Sequence, residues 1–204
     1  MMRRGSTEDG DGRATGARKT GMASVVKTLR AAATEAAVAV DGEVFREAMS
    51  RIGAAVHIVT TAGAAGRAGA TMTAVTSVSD APPTLLVCIN RNGRLNTVLR
   101  ANGVFCVNTL VSGDEDLAGV FAGKGGLDHE ARFAHGNWSL GALGTPMLAG
   151  ARAVLECRVS EVSEVGSHTV VFGRVEAVHL GRRRSALLYL DRGYRVLPHI
   201  ETAD

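Results

Sequence analysis

The sequence predicts a mainly β fold with short helices: a largely antiparallel sheet that closes on itself into a small barrel with helices at its rim. Three observations carry this expectation. Seven strand-like segments are separated by clusters of Gly, Pro, Asp and Ser. Helical patterns are few and short. No regular helix stands between most successive strands, as a doubly wound parallel sheet would need. At 204 residues and 46% hydrophobic content, the chain can fill one well-buried core.

Taken in order, residues 1–22 are polar and Gly-rich and are expected to be disordered. Residues 23–40 carry an Ala-rich helical pattern, either a short helix or an unstructured leader. Residues 43–52 place Val44, Phe45, Ala48, Met49 and Ile52 at helical spacing before Gly53 ends the run. The division expected is an extension over 1–42 and one folded domain over 43–204. Strands are expected over 56–61, 70–76, 84–90, 104–110, 153–162, 169–180 and 186–196. Short helices are expected over 95–101, after Asn92-Gly93, and over 114–121, capped by Ser112 or Gly113. Residues 123–144 hold six glycines and read as a long loop, which in a compact domain is usually functional or mobile.

Charge and cysteine usage narrow the function classes. Residues 1–30 hold seven Lys/Arg against three Asp/Glu, leaving sixteen basic against seventeen acidic residues beyond them. The isoelectric point near 9.0 therefore comes from the start of the chain and does not mark a nucleic-acid-binding face. Only 4% of residues are aromatic, too few for base-stacking platforms. Cys88, Cys106 and Cys157 sit in apolar runs without paired spacing and read as free buried thiols of a reducing compartment. No apolar run approaches the roughly 18 residues of a membrane span, and no apolar stretch follows the first arginines as in a secretory signal. A cytoplasmic protein without nucleic-acid or membrane partners is expected.

The usual catalytic signatures are missing. The chain has no Gly-x-Gly-x-x-Gly, phosphate loop, His-Glu-x-x-His or Gly-x-Ser-x-Gly. Among six histidines only His129 and His135 lie near each other, in a Gly-rich stretch without companions at ligand intervals, and no metal site is expected. One pattern stands out. Thr71, Thr73, Ser77 and Ser79 share a parity broken only by Val75, ahead of Pro82-Pro83. In an extended chain, residues of like parity share a face. Such a face meets either water, the commoner case, or a polar ligand.

The ordered motifs FREAMSRIGAAVHIVTT, ATMTAVTSVSDAPPTLLVCIN, VFCVNTL, LAGVFAGK, RF, Trp138, GTPML, LECRV, VGSHTVVFGRVEAV and LLYLDRGYRVL resemble the short-chain flavin reductase family over residues 45–197. Within it, SRIGAAVHIVTT, GRAGAT and APPTLLVCINR are most similar to the FMN reductases serving the monooxygenase of pyrimidine catabolism. The resemblance implies a flavin-binding split β-barrel, Greek-key-like, and an NAD(P)H-dependent flavin reductase. Such an enzyme passes hydride from nicotinamide to FMN and releases reduced flavin to a partner monooxygenase. FAD is the alternative flavin and NADPH the alternative donor. It also implies a homodimer.

By the same resemblance, Thr71, Met72, Thr73, Ala74 and Ser77 hold the ring and ribityl chain, and Val107 and Asn108 edge the ring. The turn NRNGRLNT holds the phosphate, with Asn90, Arg91, Asn96 and Thr97 as contacts and Arg94 adding charge at a helix start. His168 and Tyr194 meet the nicotinamide nucleotide, and Asp191 and Arg195 stand close by. No catalytic acid or base is implied, because the cofactors carry the hydride chemistry. Many relatives have Ala-Ser where this chain has Met72-Thr73. A non-catalytic flavin- or haem-binding carrier or sensor on the same barrel is the alternative reading.

Overall fold

The computed structural model describes residues 39–200, and the expectations for 1–38 lie outside them. Helix α1 spans Gly42–Ser50, where Asp41 Oδ1 accepts the Glu43 and Val44 amides (2.7 and 3.3 Å) as an N-cap. Twelve strands follow: β1 Ala54–Ala55, β2 His57–Gly63, β3 Gly66–Met72, β4 Val75–Asp80, β5 Pro83–Asn90, β6 Val104–Thr109, β7 Trp138–Leu140, β8 Pro146–Leu148, β9 Ala153–Val165, β10 His168–Leu180, β11 Ala186–Leu190 and β12 Gly193–Leu197. Helices α2 (Arg94–Asn102) and α3 (Glu115–Phe121) are interposed. Expected and observed elements agree closely, with three differences described below.

Seven strands form one antiparallel sheet in the order β3-β2-β6-β9-β10-β5-β4. Its two edges, β3 and β4, are consecutive in sequence and joined only by Thr73 and Ala74. So short a link draws the two edges together at that end, while β3 and β4 remain unpaired, which makes a barrel split along one seam. The step from β5 to β6, across the β9–β10 pair, gives the order its Greek-key character. The expected single strand over 70–76 is therefore two strands with a break in the middle. Thr71 pairs toward Ile58 on one edge and Ser77 toward Leu85 on the other, so the hydroxyl parity does not run along one continuous face.

The second difference lies over 186–196, which turns back at Asp191 and Arg192 (φ 50° and 59°) to form the β11–β12 hairpin. With β1 it makes a separate three-stranded sheet. Neither turn residue is glycine, and the Asp191 amide donates to the Ser50 carbonyl (2.7 Å). The third is the long loop, which is more ordered than its composition suggests. It contributes Phe133 and Trp138 to an aromatic cluster with Phe121, ring centres 5.1–5.3 Å apart. Arg132 donates to the Leu127 and Phe121 carbonyls (both 3.1 Å), and Arg67 pairs with Glu130. A Cβ on Gly69 would stand 2.7 Å from Phe121, so only glycine lets the cluster close over β3.

The core is in two parts, one on each side of β2 and β6. Val59, Val87, Ile89, Phe105, Val107, Cys157 and Val171 pack with Leu95 and Leu99 of α2 on one side. Val56, Ile58, Cys106, Leu110, Phe121 and Leu187 pack on the other. Strand β6 is thus buried on both faces, and its first four residues, VFCV, read as a continuous apolar run instead of alternating. Burial pushes the Cys106 thiol well up and the Cys157 thiol to about 12, so both are inert.

One carboxylate lies inside this framework. Glu156 on β9 is fully buried and accepts from the Ala142 and Leu143 amides (3.0 and 2.9 Å), Thr145 Oγ1 (2.9 Å) and His179 Nε2 (3.2 Å). Burial alone would raise its pKa; these hydrogen bonds outweigh that and lower it. It fastens the turn between β7 and β8 to the barrel. Beside it, Thr60 Oγ1 donates to the Pro146 carbonyl (2.6 Å) and the Leu148 amide donates to Asn108 Oδ1 (2.7 Å).

Candidate functional site

Two clefts of about 250 Å³ each adjoin at the seam of the barrel and share Thr71 and Met72, the last residues of β3. The first is walled by Thr73, Ala122, Tyr189 and Tyr194, whose two tyrosine rings meet edge-on at 5.6 Å. The second is walled by Cys88, Asn90, Arg94, His129 and His168. The seam explains why they form. The end of β5 beyond its pairing with β4 and the end of β3 wall the same cleft, and register sets His168 directly beside Asn90.

The second cleft is built to attract an anion. Asn92 and Gly93 turn the chain into α2, and the N-cap Gly93 has no side chain to cap the first-turn amides. Arg94, the first helical residue, lines the cleft and makes no ion pair among the described residues. His129 enters from the long loop, its Nδ1 3.1 Å from the Gly69 carbonyl. Burial, with help from the Arg132 charge, pulls the His129 pKa down, so at neutral pH its ring is uncharged. His168 Nδ1 lies 2.9 Å from Ser167 Oγ. Burial raises the pKa values of Cys88 and Tyr194, leaving both protonated. Among these groups Arg94 supplies the permanent charge.

The structure sorts the expected site residues. Thr71, Met72, Thr73, Asn90, His168 and Tyr194 all line the paired clefts, but His168 and Tyr194 stand in different ones. Thr71 Oγ1 already donates to the Ala118 carbonyl (2.7 Å), so toward a ligand it can only accept. Ala74 belongs to the seam, where its carbonyl accepts the Cys88 amide (3.0 Å). Arg91 turns away to Glu164 (3.3 Å), and Asn96 is buried with Nδ2 on the Arg91 carbonyl (2.9 Å), so both shape the turn without facing the cleft. Ser77 and Thr97 are exposed outside both clefts.

Val107 and Asn108 are not brought to the clefts. Both are fully buried in β6, and Asn108 spends its amide on the Ile58 carbonyl (3.0 Å), Thr60 Oγ1 (3.2 Å) and the Leu148 amide. The physical reason is the double-sided burial of β6, and the role of Asn108 is to fasten β8. Conversely Cys88, His129, Ala122 and Tyr189 line the clefts without having been singled out for them. Only long-range pairing brings them there, and for His129 the local signal was merely that of a histidine in a Gly-rich loop. No group of three metal-ligating side chains occurs among the described residues, and no described helix is long and apolar enough to cross a membrane.

Thr73 provides a direct probe of this surface. Its hydroxyl makes no hydrogen bond among the described residues, although its carbonyl accepts the Val75 amide (2.9 Å). As the motif resemblance implies a flavin here, Thr73→Val is expected to weaken flavin binding by about 1 kcal/mol, roughly fivefold, without loss of stability. Equal flavin affinities for the folded variant and the parent, by fluorescence titration, would remove Thr73 from the site.

Comparison with known proteins fits this geometry. Residues 49–198 match the model of the flavin reductase like domain. The chain is 52% identical over 165 residues to a protein of Methylorubrum populi named FMN reductase (NADH) RutF, covering 81% of each. It is 47% identical over 158 residues to the protein of the same name from Escherichia coli O6:K15:H31, covering 78% of this chain and 95% of that one. Among solved structures, a putative flavin reductase of Haemophilus somnus superposes with a TM-score of 0.74 at 39% identity, over 78% of this chain and all (100%) of the other. The NADH:FAD oxidoreductase SgcE6 of Streptomyces globisporus, in complex with NAD and FAD fragments, superposes with a TM-score of 0.71 at 30% identity, over 80% and 96%. The fold is that of these flavin reductases, a barrel split at the seam where the clefts lie, and the chain belongs to the flavin reductase like domain family.

Proposed function

We propose that the chain is an NADH-dependent flavin reductase that uses FMN, and that the paired clefts are its site. The observation that carries this is their junction at Thr71 and Met72. Each cleft alone is below the ~300–1,000 Å³ that buries a ligand of this size, whereas the two together fall inside that range. A flavin nucleotide would span both, with its phosphate at Arg94 and the open amides of α2 and its ring toward Thr73 and the tyrosine pair. The names of the relatives, FMN reductase (NADH), supply the choice of flavin and donor.

A bound flavin would supply the redox chemistry, as acceptor of the hydride that a reduced nicotinamide gives up. The chain's own task is placement. His129 is neutral, and Tyr194 and Cys88 are protonated, so none of these three carries charge at neutral pH. Met72 forms the ridge on which the ligand lies, and the tyrosine pair closes one end against water. Holding two rings at reacting distance is the term that lowers the barrier. The missing acid–base constellation in the sequence follows from this division of labour.

The test is sustained oxidation of NADH, followed by its absorbance, with the full-length chain and FMN. Turnover that requires added flavin supports the reading, and binding of flavin without NADH oxidation would overturn it. Running FAD and NADPH in parallel ranks the alternatives. We further propose a flavin-dependent monooxygenase as recipient of the free reduced flavin, a homodimeric assembly and a cytoplasmic location. The recipient is suggested by a structural neighbour named the styrene monooxygenase flavin reductase, from Pseudomonas putida S12, with a TM-score of 0.68 at 27% identity over 76% of this chain and 98% of that one.

His168 separates the two substrates. It sits at the exposed edge of the second cleft beside Asn90, where a dinucleotide would enter over a bound flavin. His168→Ala is expected to raise the KM for NADH up to about tenfold, the value of one hydrogen bond, with flavin affinity nearly unchanged. A fall of several orders in kcat would make it a chemical participant. Weakened flavin binding at constant KM would place it against the flavin instead.

A further inference from the structure

Among the described residues, one corner of the fold carries basic charge that no carboxylate meets at contact distance. Arg182, Arg183 and Arg184 occupy the connection between β10 and β11, and all three are exposed. None makes an ion pair with a described carboxylate, whereas Arg67, Arg91, Arg100, Arg158, Arg174 and Arg192 each lie within 3.3 Å of one. Arg152 brings a fourth guanidinium by donating to the Arg184 carbonyl. Asp114 lies in the field of Arg184, but its Oδ2 already accepts the Val111 amide (3.0 Å).

The same corner holds a cleft of about 220 Å³ that shares no residue with the two clefts at the seam. Its wall is formed by Met147, Leu148, Val154 and Leu180, with Ser139 and His179 at the margin. Leu180 is 82% exposed, a cost in water-contacting apolar area that a bound apolar body would remove. One of these arginines, Arg184, stands at this wall. Arg184 Nη1 stands 3.9 Å from where a Cβ on Gly150, a lining residue, would lie. Gly181 packs so closely on Ala151 that an added Cβ would come 2.0 Å from its carbonyl oxygen, which fixes the start of the arginine segment.

We propose that this corner is a second binding site, for a small apolar anion: a carboxylate or sulfonate on an aromatic ring or a short alkyl chain. The chemistry follows from the two halves of the site. A hydrophilic anion would satisfy the guanidinium of Arg184 and leave Leu180 wet. A neutral apolar molecule would cover Leu180 and leave the charge unmatched. The cleft is too small for a flavin nucleotide and large enough for one ring. Guanidinium pairs a carboxylate or sulfonate through two parallel hydrogen bonds, and its attraction strengthens as apolar neighbours exclude water.

The probe is benzoate, a one-ring carboxylate whose binding to the folded full-length chain is followed by calorimetry, first without FMN and then with saturating FMN present. A saturable signal is expected, with affinity reduced about fivefold or more in Arg184→Ala and, independently, in Leu180→Ser. Hexanoate should displace the probe, and acetate and phosphate should not. Both variants should keep the parent's circular dichroism and NADH oxidation rate, since neither residue lines the seam clefts. No saturable signal, unchanged affinity in both variants, or displacement by phosphate as effective as by hexanoate overturns the proposal. Loss of the signal on adding FMN would place the probe in the flavin clefts and overturn it equally. Should FMN not bind at all, that arm counts against the flavin reading, and the two variants still decide this site.

Discussion

Glu156→Ala is expected to lower the unfolding free energy by about 3–5 kcal/mol, a large part of the stability of a domain this size. The carboxylate is fully buried and is the shared acceptor for two backbone amides, a threonine hydroxyl and His179. Removing it strands donors that cannot all reach water, at about 1–3 kcal/mol for each buried one. It also frees the turn between β7 and β8. Glu156→Gln keeps the volume and part of the acceptor set and should lose less, which separates lost hydrogen bonding from cavity formation. Urea unfolding monitored by the single tryptophan, Trp138, reads both. A midpoint for Glu156→Ala within the equivalent of 1 kcal/mol of the parent, at constant slope, would show that the turn stands without the carboxylate.

Acidification is expected to cost the fold up to about 3 kcal/mol between pH 6.5 and pH 4, through His57. Burial lowers the pKa of this histidine from 6.5 to about 4, and its Nδ1 lies 3.1 Å from Thr109 Oγ1. In that window the unfolded chain takes up a proton that the folded chain refuses, so stability rises with pH across it. The shift converts at about 1.4 kcal/mol per pH unit. Glu156 acts in the same direction at lower pH. Its folded pKa is depressed, so its contribution is present above its ordinary value of 4.5 and is lost as pH falls through the folded pKa. Denaturant unfolding at a series of pH values should show the slope in the parent and a flatter profile in His57→Gln. A parent profile flat from pH 6.5 to 4 would mean that His57 protonates freely in the native state.

The strands, the short helices and the family were legible from local pattern, because period-two alternation, turn residues and ordered motifs are properties of neighbouring residues. The turn NRNGRLNT could be recognised as a helix start for the same reason. What each residue in it does could not. Arg94 faces the cleft while Arg91 turns to Glu164, and that choice depends on where β9 ends. Likewise Asn108 has the polar side chain a ligand site wants, yet β6 lies at the centre of a sheet covered on both faces and its amide is consumed by β2 and β8. The hydroxyl alternation from Thr71 to Ser79 promised one face, but the chain breaks at Thr73 and Ala74 and sends the two halves to opposite edges of the sheet. Local pattern determined that a mainly antiparallel barrel with short helices forms, and the ordered motifs added, by resemblance, that it is split. Tertiary structure decided which side chains reach the site, because the clefts lie where unpaired edges meet, and no local signal records which distant strands will close that seam.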